Sequence, residues 1–242
     1  MPWNRHLNAA IQEAANLTAA LKTDRRGRDQ WLCPRCRGVG LSCEHLPRSG
    51  RRAIWKLLEL FGYRGASVEV GVWQGDNSRE MMGIWRSGRR HTMVDPYRNF
   101  ECVTRSSTGK RESRDKQCMV DQTRFDHVYQ LVSKWAKLRH PKRAALLREF
   151  SVDAAARFEH TSLDMVYIDA RHDFDGVTED LRAWWPTVCP GGIFAGHDLE
   201  YSGVKRSVEA FLARHSSQAF EVRITAEHST PSWFVVRKPR VC

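Results

Sequence analysis

The sequence predicts an α/β fold: a doubly wound, Rossmann-like sheet preceded by a small helical, Cys-rich extension. Three observations lead there. From residue 51 onward, short apolar runs alternate with amphipathic stretches, the pattern of a mostly parallel sheet with helices on both faces. Four of these runs end at or near an acid, Glu69, Asp95, Asp169 and Asp198, and such sheets bind ligands at the carboxyl ends of their strands. The chain closes with "FEVRITAEH" and "SWFVVRKP" and no helix between them, which reads as an antiparallel hairpin at one edge.

The elements follow in order. Residues 8–22, rich in Ala, Leu and Gln, read as a helix. Residues 23–50 are basic, contain Gly and lack an apolar period, so they read as a linker or a metal-tied knuckle. A boundary near residue 50 divides an extension, 1–50, from a catalytic domain, 51–242. "RRAIWKLLELFGY" places Ile54, Trp55, Leu58 and Phe61 on one helical face, and Gly62 and Gly65 end it. "ASVEVGV" is a buried strand, followed by a helix over about 77–86; "HTMVD" is a short strand that stops at Pro96. Residues 97–143 break the rhythm and are too long for a plain connection. Their first part, 104–117, is polar and basic; 122–138 carries Phe125, Val128, Tyr129, Val132 and Trp135 near helical spacing. This insertion reads either as a lid on the ligand side or as a surface excursion with a packing helix. "AALLREF" is the next strand, with a helix through 154–158. "LDMVYID" precedes a helix over 177–185, and "GGIFAGHD" precedes one over 204–215.

Composition bounds the setting. With 242 residues, 41% of them hydrophobic and nine of them Trp, the chain builds one full core plus an appendage. No apolar stretch approaches the ~20 residues of a membrane span, and "MPWNRHLNAAIQEAANL" lacks a signal pattern; a soluble, cytoplasmic protein without a membrane partner is expected. The net charge of +11 concentrates in 22–52 and 105–148. It suits acidic partners such as phosphates, nucleotide sugars or nucleic acid, or serves solubility alone. "CPRCRGVGLSCEH" groups Cys33, Cys36, Cys43 and His45. This is a candidate structural zinc shell; a redox pair, a disulfide or unrelated thiols are the other readings. Cys102, Cys118, Cys189 and Cys242 have no metal spacing.

The chemistry lies in the loops. In "VEVGVWQGDNS", Gly71 and Gly75 permit a tight turn and close backbone approach to a ligand. The dinucleotide fingerprint needs Gly-x-Gly-x-x-Gly, and positions 73 and 76 are not glycine, which disfavours a pyrophosphate cradle. Asp95 follows Gly75 by twenty residues at a strand end, where a carboxylate can accept both hydroxyls of a ribose. In "YIDARHDFDG", Asp169, Arg171, His172, Asp173 and Asp175 crowd the end of a buried strand: the rim of an active site, or ordinary surface charge. Asp173, Asp175 and Asp180 read as helix-start charges and solvated residues, and Trp184 and Trp185 as core.

These motifs resemble the class I S-adenosylmethionine-dependent methyltransferases. The likeness spans about 51–242 and is specific over 66–80, 91–97 and 163–206, including "YIDARHDFDGVTEDLRAWWPTVCPGGIFAGHD" and "GVKRSVEAF". It is closest to the family of metal-dependent sugar and natural-product O-methyltransferases. The resemblance implies a seven-stranded sheet whose last strand is antiparallel. It implies that Gly71 and Gly75 line the methionine part of S-adenosylmethionine and that Glu69 orients nearby backbone or the amino group. Ser78 joins the cofactor set, Asp95 binds the ribose and Ser151 sits by the adenine. Asp169 and Asp198 match metal-binding acids, with His197, standing where some members carry an acid, as a further candidate ligand or equally a hydrogen-bonded orienter of Asp198; Leu199 is not a ligand. His172, with Asp169, is the catalytic candidate: a base that takes a hydroxyl proton or a residue beside the shell, with Mg²⁺ lowering the acceptor's pKa. The expected reaction is O-methylation of a small molecule or sugar. The alternatives are a nucleic-acid methyltransferase or binding protein that uses the basic 22–52 segment, and a non-catalytic cofactor-fold protein. Against nucleic-acid amino methylation, no Asn/Asp-Pro-Pro-Tyr/Phe motif occurs. A homo-oligomer is compatible with all of these.

Overall fold

A computed structural model describes residues 44–46, 50–98, 121–219, 222–225, 227 and 230–237. In chain order the elements are β1 (Glu44–Leu46), α1 (Arg52–Leu60), β2 (Ala66–Val70), α2 (Asp76–Ile84), β3 (Arg90–Val94), α3 (Gln122–Arg139), β4 (Ala144–Leu147), α4 (Ser151–Ala155), β5 (Leu163–Ile168), α5 (Phe174–Trp184), β6 (Val188–Gly196), α6 (Ser202–Arg214), β7 (Arg223–Thr225) and β8 (Trp233–Val236). One sheet runs β1-β7-β8-β6-β5-β2-β3-β4. Strands β2 to β6 pair in parallel, and β8 is antiparallel to both β6 and β7. The seven strands β2–β8 are those the sequence implies. The helix expected over 8–22 lies outside the described residues.

The sheet has an eighth strand that the sequence reading did not contain. Glu44, His45 and Leu46 pair in parallel with Arg223, Ile224 and Thr225, so part of the segment read as linker or knuckle forms the sheet's edge. Three residues carry too little periodicity to be read, and their partner is far away in sequence.

Strand alternation divides the core. Val68, Val70, Val166 and Ile168 face α4, α5 and α6, where Leu181, Trp184, Val208 and Phe211 are buried with them. Met165, Tyr167, Ile193 and Ala195 face α1 and α2, against Ile54, Trp55, Leu58, Met81 and Met82. Phe125, Val128, Val132 and Ala136 of α3 cover Val72, Met93 and Tyr97. The helical half of the 97–143 insertion is therefore a sheet-covering crossover between β3 and β4. Residues 99–120 lie outside the described set.

Trp184 and Trp185 are core, as expected. Asp173 caps α5, its carboxylate accepting from the Gly176 N–H, and Asp175 lies in the first turn. Asp180 departs from expectation: it is 4% exposed, because it sits one turn before Trp184 on the helix face turned to the sheet.

Candidate active site

The carboxyl ends of β2, β3, β5 and β6 converge, and three non-glycine residues there, Trp73, Tyr97 and Asp198, hold positive φ angles of 46°, 42° and 57°. Strain of this kind persists where surrounding contacts over-determine it, and it clusters at functional sites.

The first loop leaves β2 through Gly71, at φ +83°, where a Cβ would lie 2.0 Å from the carbonyl oxygen of Asp169. Glycine is thus required, and the loop lies directly against the end of β5. Gly75, at φ +77°, opens α2. Asp95 anchors the loop: Oδ2 accepts from the N–H groups of Val72 and Trp73, both at 2.9 Å, and Oδ1 accepts from Tyr97 N–H at 2.7 Å. The Tyr97 hydroxyl donates to Trp73 O at 2.8 Å. Burial raises the Asp95 pKa against those three N–H groups, which lower it. A carboxylate offers about four lone-pair sites, so one remains for a ligand hydroxyl beyond the three backbone bonds.

Glu69 and Ser78 lie inside the molecule, at 2% and 0% exposure. The Ser78 hydroxyl donates to Glu69 Oε2, and Asn77 Nδ2 donates to Glu69 Oε1 at 3.0 Å. Ser151, the first residue of α4, accepts from Trp184 Nε1 at 2.9 Å and also bonds Asp180.

The charged cluster lies beside the loop. His172 Nε2 is 2.7 Å from Asp198 Oδ2, and the His172 ring stacks on Tyr201 at 4.8 Å. His197 Nδ1 sits between the two acids, 3.2 Å from Asp198 Oδ1 and 3.6 Å from Asp169 Oδ1. Burial lowers the His197 pKa, but the two carboxylates outweigh it and lift it to about 9. Burial likewise opposes ionisation of Asp198, yet His172 and His197 hold it well below the usual carboxylate range. Ligand-capable atoms of Asp169, His172 and Asp198 lie within 4.8 Å of one another. Two carboxylates with one imidazole suit a divalent ion, so this donor set fits a metal. The triad contains His172 rather than His197, which lies behind it as a bridge between the acids.

Arg51 falls within the basic 22–52 segment. Its Nη1 lies 3.8 Å from Asp169 Oδ2 and its Nε 3.5 Å from Glu227 Oε1, and Glu227 also accepts from the Arg51 backbone N–H at 2.8 Å. No local sequence signal marks Arg51 or Glu227, because tertiary folding alone brings them to Asp169. Cys33, Cys36 and Cys43 lie outside the described residues. His45 lies in β1.

A family model described as "Methyltransferase domain" matches residues 68–199, more than half of the chain. No curated protein matches by sequence. Among solved structures, a putative rRNA-methylase from Clostridium thermocellum superposes with TM-score 0.52 at 12% identity, covering 83% of this chain and 100% of that one. A SAM-dependent O-methyltransferase from Thermotoga maritima gives 0.51 at 10% identity, covering 83% and 69%. An rRNA methylase from Streptococcus thermophilus gives 0.52 at 8% identity, covering 78% and 94%. At these identities the likeness is one of fold.

Proposed function

The chain belongs to the methyltransferase-domain family, and from that premise we propose that it transfers the methyl group of S-adenosylmethionine to a hydroxyl of a small molecule or sugar. One observation carries the reading: the Gly71 loop touches the backbone of Asp169, and Asp169, His172 and Asp198 converge beside it. A cofactor on the loop therefore has an acid–base cluster next to its reacting end.

In the reaction the acceptor oxygen attacks the methyl carbon, the carbon–sulfur bond breaks and its electron pair stays on sulfur. The hydroxyl proton passes to the Asp198–His172 pair, in which the carboxylate holds the imidazole and stabilises its cation. Asp95 fixes the loop so that the sulfonium and the acceptor stay aligned. A divalent ion held by Asp169, His172 and Asp198 would supply Lewis acidity that lowers the acceptor's pKa. His172 then has one of two roles, base or ligand, and the test separates them.

Asp198→Ala is expected to abolish turnover in a pooled hydroxyl-acceptor screen while S-adenosylhomocysteine still binds in calorimetry. His172→Ala should slow turnover by ~10²–10⁴. Inhibition by chelator, reversed by magnesium or manganese, identifies the ligand role; full activity in chelator with a crippled His172→Ala leaves the base. Wild-type turnover in both variants would reject the cluster as the active site.

The charge of +11 supports RNA as a second acceptor class. Methylation of RNA that falls steeply with added salt, with small hydroxyl acceptors inert, would favour that reading.

A further inference from the structure

We propose that the end of the sheet opposite the candidate active site docks on an anionic lipid surface, with the cations of three neighbouring connections on the headgroups and Leu60 and Leu138 entering between them.

Three connections make this face. Residues 61–65 lead from α1 into β2, 85–89 from α2 into β3 and 140–143 from α3 into β4, and the three strands are neighbours in that order. Hydrogen bonds tie each connection to the next. Trp85 Nε1 and the Ser87 hydroxyl donate to Tyr63 O at 2.8 and 2.9 Å, and Arg89 N–H donates to Gly65 O at 2.9 Å. Arg143 reaches back, donating from Nη2 to Trp85 O at 2.7 Å and from Nε to Gly88 O at 2.8 Å. The face is thus preformed, and docking requires little ordering of it.

Its charge is one-sided. Arg64, Arg86, Arg89, Arg90, Arg139 and Lys142 are all exposed. None of them forms a salt bridge among the described residues, whereas Arg52, Arg79 and Arg157 elsewhere are paired with acids. The nearby acids are engaged: Glu59 accepts from the Ser87 N–H and hydroxyl, and Asp164 accepts from the Gly65 N–H. Cations in the last turn of a helix complement its dipole, but α1 and α2 have none there. Arg64, Arg86, Arg89 and Arg90 stand beyond those helices, so the dipoles do not account for them. Basic clusters of this size attract anionic lipids.

Two leucines favour lipid over a nucleic-acid backbone. Leu60 and Leu138 are 75% and 69% exposed, the most of any large apolar side chain among the described residues. Leu60 ends α1 beside the first connection, and Leu138 lies in the last turn of α3 beside the third, so the two flank the arginines. The boundary between headgroups and acyl chains takes up leucine as well as cations; a phosphodiester backbone has no apolar place for it. Position points the same way. β2 is five residues long, so about 15 Å of strand separates this face from the Gly71 loop. A protein docked here keeps its active site open on the side away from the lipid, whereas an RNA held here lies at the wrong end for methyl transfer. No helix of the described residues is long and apolar enough to cross a membrane, and a surface contact requires none.

Sedimentation with phosphatidylcholine vesicles, with and without phosphatidylserine, tests this. The protein is expected to bind only the vesicles that contain phosphatidylserine, and added salt should release it. Replacing Arg86, Arg89 and Arg90 together by Gln should weaken binding about 100-fold, at roughly fivefold per cation. Leu60→Ser combined with Leu138→Ser should weaken it at least ~10-fold. Unchanged thermal midpoints, expected because every replaced side chain is exposed, show that neither loss comes from unfolding. Vesicle binding that survives either set of substitutions overturns this face as the contact. Equal binding to vesicles without phosphatidylserine, or binding to neither, overturns the anionic lipid. RNA binding that the arginine substitutions abolish, with no vesicle binding by wild-type protein, assigns the face to nucleic acid instead.

Discussion

Asp180 has no place in the proposed chemistry, yet its surroundings fix how its proton behaves. Burial raises its pKa to about 7, against a hydrogen bond from Ser151 and the charge of Arg171, and Oδ2 has no partner among the described residues. The folded value lies above the ~3.9 of an unfolded Asp. The folded state therefore binds the proton more tightly, and stability falls as pH rises from about 4 to about 7, then levels off. Asp180→Asn removes the ionisation and keeps a partner for Ser151. It should stabilise the protein at pH 8, by about 2–4 kcal/mol, and leave it nearly unchanged at pH 4. Urea titrations at the two pH values measure this, and an equal difference at both would refute it. At this scale the sequence was partly legible. The strand-end acids announced themselves by following apolar runs, whereas Asp180 resembled its solvated neighbours Asp173 and Asp175. Its burial depends on which face of α5 meets the sheet at that turn.

At the scale of elements, β1 shows what an edge requires. β7 pairs with β8 on one side, and without Glu44–Leu46 its other side would present unpaired N–H and C=O groups. Because β1 runs parallel to β7, its end points toward the carboxyl side of the sheet, where Arg51 then reaches Asp169 and Glu227. Deleting residues 1–46 should lower the thermal midpoint by about 2–8 °C and leave S-adenosylhomocysteine affinity within about threefold, since the loop and its anchors belong to β2, β3 and α2. Loss of binding in the truncated protein would make the N-terminal segment part of the cofactor site. The helices α1, α5 and α6 were readable because each carries an apolar stripe long enough to show its period. β1 was not, since three residues show none.

For the molecule as a whole, stability comes from two apolar layers separated by the sheet. Trp184 is 0% exposed in the layer under α4, α5 and α6; it packs on Phe158 with ring centroids 5.3 Å apart and donates to Ser151. Trp184→Ala should destabilise the fold by about 3–5 kcal/mol, read as a lower urea midpoint. Trp184→Phe should recover most of that loss, because packing outweighs the single hydrogen bond. A small effect of Trp184→Ala would show that the layer under α5 closes over the gap.

The sequence by itself determined the order and type of the elements from residue 51 on, the mostly parallel sheet with its closing hairpin, and the loops that hold Gly71, Asp95, Asp169 and Asp198. Those properties are local: a period of two or of 3.6, a glycine where the turn must tighten, an acid where an apolar run stops. Only the tertiary structure decided which of those groups meet. Asp95 became the anchor of the first loop because β2 and β3 are neighbours. Ser78 links Glu69 to His91, whose cross-strand partner is Ser67, and His172 came to Asp198 because β5 and β6 lie side by side. Arg51 reached Asp169 because the chain enters the sheet from the edge that β1 forms. Each contact joins residues separated along the chain, and pairing between strands, which no local pattern encodes, set the distances.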